Sequence, residues 1–140
     1  MNGTSIRVKQ ATVSTLANGF IRILIDEEAE ITSNDILEIN AAKSKLAGNQ
    51  PHIVLFIAPK NGSITSEARA TSASKEVNRN AIAKAIVTKS LPQRLIGNLF
   101  IKFNKPPAPT KLFSIEKDAI EWLKMMKTGS ESKIYQESQI

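Results

Sequence analysis

The chain contains no cysteine and only one histidine, one tryptophan and one tyrosine. Without thiols it can form neither a disulfide framework nor a thiolate metal site, and that absence fits a reducing compartment. With His52 the lone imidazole, few candidates exist for a nucleophile–base pair. No Gly-x-Gly-x-x-Gly occurs. The stretch Lys60-Asn61-Gly62-Ser63 has one glycine and lacks the Gly-Lys-Ser/Thr of a Walker loop. No apolar run approaches the roughly 20 residues that span a bilayer. Met1–Ser5 shows no basic stretch leading into an apolar one, so no signal peptide is expected and the cytoplasm is the expected compartment.

Acidic side chains are missing from one contiguous block. Residues 77–115 carry Arg79, Lys84, Lys89, Arg94, Lys102, Lys105 and Lys111 and no Asp or Glu, whereas the flanking segments are close to balanced. The net charge of +6 therefore resides there, and a patch of one sign attracts anionic partners unless folding scatters it.

What is present is ordinary globular material. A chain of 140 residues with 41% hydrophobic and 23% charged side chains suits one domain with one sufficient core. Ile6 to Leu16 and Phe20 to Ile25 flank Asn18-Gly19, a strong hairpin signal. The first run changes phase near Lys9-Gln10, which suggests a bulge or a strong twist. Thr32 with Asp35 approximates a capping box before a helix built on Ile36, Ile39, Ala42, Lys43 and Leu46, and Gly48 is its natural stop. Ile53–Ile57 is uninterruptedly apolar, as in a central parallel strand. A weaker helix begins at Thr65 or Ser66, and Ala81–Val87 reads as a second buried strand. Ser90-x-x-Gln93 with Pro92 opens a helix over 91–103. Lys111–Phe113 is a short strand, and Ser114 caps a last helix with an apolar stripe through Leu123 and Met126. The order ββαβαβαβα predicts an α/β fold: a mixed, mostly parallel sheet with an antiparallel N-terminal hairpin and flanking helices. Residues 1–127 form the expected single domain, and 128–140 read as a flexible polar tail.

Two clusters invite chemistry, and both have plain readings. The carboxylates from Asp26 to Glu30 could hold a divalent cation, although a solvated acidic turn is the simpler account. His52 reads as an ordinary strand-edge residue. The helix at 91–103 is more unusual, because large apolar residues surround almost its whole circumference. Either it is buried on most sides, or one face is exposed to a partner or a lipid surface. Arg94, Leu95, Leu99, Lys102 and Lys105 would form that surface, suited to an acidic or apolar protein or to an anionic membrane. Nucleic acid fits less well, because no aromatic platform stands among the basic residues.

From Ala83–Thr88 through Leu95–Phe100 to Pro109–Ser114 and Ala119–Leu123, the chain resembles the SpoIIAA-like group. That group is a largely uncharacterised bacterial one related to STAS domains, the anti-sigma-factor antagonist superfamily. The resemblance covers roughly residues 6–125 and implies a STAS-like fold. STAS antagonists carry an Asp-Ser pair at the helix after the central strand, and phosphorylation of that serine breaks binding. Ser63, Thr65 and Ser66 occupy that stretch here, but the aspartate is absent and Lys60 stands in the loop, so a helix cap is the simpler role. The expected function is a non-enzymatic regulatory or protein-interaction module, with no metal and no cofactor. The alternative is a small-ligand or lipid carrier, since SpoIIAA-like domains are sometimes grouped with Sec14-type ones. An enzyme would need an unfamiliar site near the acidic turn or the 58–66 loop. A homodimer through the edge hairpin or the apolar helix is open.

Overall fold

Two β-branched runs pair side by side as an antiparallel hairpin. The computed structural model of the chain describes residues 4–17 and 19–138, with side chains up to residue 131, so Asn18 lies outside the described residues. β2 (Ala11–Ala17) and β3 (Phe20–Ile25) are antiparallel from Ala11↔Ile25 to Ala17↔Phe20, with an irregularity between Thr15 and Ala17. Gly19 adopts φ 74, a conformation glycine enters without steric penalty. The phase change at Lys9-Gln10 is a reversal of the chain. A separate strand, β1 (Ser5–Arg7), pairs antiparallel with β2, and Val8 N–H donates to the Ala11 carbonyl across the turn.

The remaining elements are β4 (Glu30–Ile31), α1 (Ser33–Ala47), β5 (His52–Ile57), β6 (Ser63–Ile64), α2 (Ser66–Ser72), β7 (Ala81–Val87), α3 (Leu91–Leu99), β8 (Thr110–Phe113) and α4 (Glu116–Ser138). The main sheet has the order β1-β2-β3-β5-β7-β8, parallel from β3 onward. β4 and β6 form a separate parallel pair too short for a periodic signal. The capping box of α1 is complete: Thr32 Oγ1 accepts from Asp35 N–H, and the Asp35 carboxylate accepts from Thr32 N–H. That of α3 is half formed. Ser90 Oγ accepts from Gln93 N–H, but the Gln93 side chain is engaged elsewhere.

Two further boundaries differ from expectation. The helix expected over 91–103 is α-helical to Leu99 and then widens to a π-helical turn over Phe100–Asn104, ended by Lys105 at φ 50. Helical structure in α4 runs to Ser138, past the boundary expected at 127. The i,i+4 pair Lys127–Glu131 (3.7 Å) is of the kind that supports helix without any apolar stripe.

Strand alternation sends the two faces of the sheet to different cores. Val13, Ile21, Ile23 and Val54 pack with Ile36 and Ile39 of α1 and Ala68 of α2. Phe20, Ile53, Leu55, Ala83, Ala85 and Val87 pack with Ala119 and Leu123 of α4 on the opposite face. Arg22, also on the α4 face, pairs with Glu116 at 3.5 Å.

Candidate functional site

On β7 the residues between those facing α4 are Lys84 and Ile86. No helix lies flush on them. A cavity of about 130 Å³ opens there between α2 and α3, near the C-terminal ends of β3, β5 and β7. That edge is where open α/β sheets generally bind ligands. Phe56, Lys84, Ile86 and Leu112 come from the sheet, Ile25, Ala29, Ile31 and Ile64 close one side, and Arg69 of α2 closes another.

α3 forms the roof through Gln93, Ile96, Gly97 and Phe100, the i, i+3, i+4, i+7 set of one helix face. Gly97 permits the approach, since a Cβ there would stand 2.8 Å from Leu112 Cδ2. Gln93 ties the helix start to its surroundings. Its Nε2 donates to the Pro59 carbonyl at 2.9 Å, and its Oε1 accepts from the Thr88 hydroxyl at 2.6 Å.

The other side of α3 faces water. Leu91, Leu95 and Leu99 recur every four residues and are 69%, 58% and 53% exposed, and Phe103 follows at 68%. Residues four apart on a helix are neighbours, so the three leucines make one ridge. The near-circumferential apolarity of this segment thus has two causes, a roof inside and a ridge outside. Lys102 and Lys105 are exposed and Arg94 is half-buried beside the ridge. Lys102 Nζ lies 5.5 Å from the centre of the Phe103 ring.

The hydroxyl positions serve local structure. Thr65 caps α2 by accepting from Ala68 N–H at 3.0 Å; Ser66 is the exposed first residue of that helix. Exposed Ser63 donates its N–H to the Ala29 carbonyl. The acidic turn is tied down in pieces. Asp26 pairs with Arg7, whose guanidinium holds the carboxyl below its ordinary range, and Glu27 accepts from Lys60 N–H at 3.3 Å. Among the described residues no group of three His, Cys, Asp or Glu could hold a metal ion. His52 is buried, its Nδ1 is 2.9 Å from the Gln50 carbonyl, and burial pushes its pKa down.

The feature that sequence reasoning missed is Lys84. It is 5% exposed; its backbone N–H donates to the Pro109 carbonyl at 2.9 Å, but its ammonium makes no hydrogen bond or ion pair with any described residue. Burial, and then the nearby charge of Lys43, push its amine down to about 7. Lys43 on α1 is also buried, but it donates to the Val77 carbonyl; burial takes it to about 8. Lys84 also borders a second cavity, of about 20 Å³, that Lys43 shares. A lysine at the centre of Ala81–Val87, a run read as a buried strand, was the available signal.

Among the described residues no helix is long and apolar enough to cross a membrane. No curated protein matches the chain. Among solved structures, it is similar to an uncharacterized protein of the DUF3478 family with a SpoIIAA-like fold from Shewanella loihica PV-4. The TM-score is 0.55 at 16% identity, with 86% of this chain and 91% of that chain covered. At that identity the likeness shows the fold alone. Residues 14–127 match the model of a family described as a domain of unknown function, DUF7793. The chain belongs to the DUF7793 family, and its mixed sheet with an antiparallel N-terminal hairpin is consistent with a SpoIIAA-like fold.

Proposed function

We propose that this protein is a non-enzymatic, STAS-type interaction module of the cytoplasm whose docking surface is the outer face of α3. The observation that carries the reading is the ridge of Leu91, Leu95 and Leu99, continued by Phe103, with each side chain more than half exposed. Scattered exposed leucines need no explanation, but a contiguous row on one helix does. Its margin is basic through Arg94, Lys102 and Lys105, and no acidic residue occurs from 77 to 115. Charge complementarity selects a protein with an acidic rim around an apolar groove, a recurrent mode of helix recognition. A second copy of this chain fits less well, because a two-fold contact through α3 brings two basic margins together. A carrier of long acyl chains is not supported, since a cavity of about 130 Å³ is too small to enclose one. For scale, an engineered cavity of about 150 Å³ takes up benzene.

Affinity capture from the native cell tests the reading, with wild type, Leu99→Asp and Lys102→Glu compared and contacts mapped by crosslinking. The expected result is an acidic protein that crosslinks to residues 91–105, dissociates at raised salt and is lost by both variants. Capture insensitive to both substitutions overturns the reading. So does sedimentation with anionic phosphatidylserine vesicles, or self-association through α3, without such a protein.

A further inference from the structure

We infer that the cavity beneath α3 is a binding site for a small organic acid, a monocarboxylate with a compact apolar body, whose carboxylate pairs with Lys84. Three observations converge on that chemistry. Most of the wall is apolar, including Ile25, Ile31, Ile64, Ile86 and Phe100, so a strongly hydrated ion such as phosphate would lose its water without replacement. Two cationic side chains, Lys84 and Arg69, line the cavity and no Asp or Glu does. Arg69 uses one N–H on the Ile64 carbonyl, at 3.0 Å, and a guanidinium carries five. Lys84, at 5% exposed, uses none of its three ammonium donors on any described residue.

A buried ammonium without a counter-charge is costly, and a carboxylate supplies both the charge and the hydrogen-bond acceptors. Size sets the rest. At about 130 Å³ the space accommodates an apolar body of roughly benzene dimensions, a short aliphatic chain or one ring. The inference is independent of docking on the outer face of α3, because ligand and readout both lie on the inner side.

The test uses the full chain and hexanoate as probe, followed by NMR of the backbone amides. The expected result is saturable shifts at cavity-lining Thr88, Gly97 and Leu112, with hexan-1-ol at least tenfold weaker. Lys84→Met, checked for folding by thermal melting, should lose at least tenfold in hexanoate affinity, and Arg69→Gln severalfold. Lys117→Gln, an exposed charge on α4 across the sheet, should bind as wild type does. The inference is overturned by hexan-1-ol binding as tightly as hexanoate, or by unchanged affinity in Lys84→Met. The same shifts with inorganic phosphate, or no saturable shift with hexanoate, also overturn it.

Discussion

A lysine ammonium taken out of water forfeits several kcal/mol of solvation unless a partner replaces it. Lys84 has no such partner among the described residues, and its pKa near 7 expresses that cost. Below about 7 both the folded and the unfolded chain bind the proton, and the full penalty is present. Between there and 10.5 the unfolded chain keeps a proton that the folded chain has released, so stability rises with pH. Lys43, at about 8, adds to the same trend over a narrower window. Lys84→Met should therefore stabilise the protein near pH 6.5 by on the order of 2–4 kcal/mol. The gain should shrink toward pH 9.5, as urea titrations of both proteins would show; a gain that grows with pH contradicts the argument. Nothing in composition marked this residue. Lys84 counted as one more charge of a basic block, and only its place at the centre of an apolar strand set it apart.

At the scale of elements, α3 carries the account. Leu99 and Phe100 are consecutive, yet one is 53% and the other 6% exposed, because a helix turns adjacent residues about 100° apart. Phe100→Ala should cost about 3 kcal/mol or more by opening the cavity further. Leu99→Asp should change stability by about 0.5 kcal/mol at most. Thermal melts of the two variants decide it, and equal losses would mean that the outer ridge is structural. The strands and helices with full periodic signals were legible in the sequence: the β2–β3 hairpin with Gly19 in its turn, the α1 cap at Thr32, and β5 and β7 as apolar runs. Legibility failed where a contact between residues distant in sequence decided the geometry. The two-residue strands β4 and β6 pair only with each other, and Gln93 left its capping partner for Pro59 and Thr88. Which side of α3 would be covered was equally hidden, because inner and outer residues are both apolar and the sequence shows no polar face to orient the helix.

At the scale of the whole molecule, α1, α2 and α3 follow successive parallel crossovers and lie together, leaving α4 alone on the far face. Leu123 of α4 is fully buried against the sheet, and Leu123→Ala should cost about 2–5 kcal/mol, read by denaturant unfolding. The basic block inferred from sequence survives folding in part: Lys84 turns inward, while Lys102, Lys105 and Lys111 stay exposed near α3 and β8. Surface and cavity thus share one helix, apolar on both sides for different reasons. The stretch Ala58–Ser66, where the resemblance to STAS antagonists would put an Asp-Ser pair, contributes Ala58, Pro59, Gly62, Ser63 and Ile64 to the lining of that cavity. The most direct measurement is the affinity of the captured acidic partner for wild type and for Lys102→Glu/Lys105→Glu at low and at physiological ionic strength. The account predicts at least tenfold weaker binding by the variant at low salt, with the gap closing as salt rises. Equal affinities at both ionic strengths would contradict it.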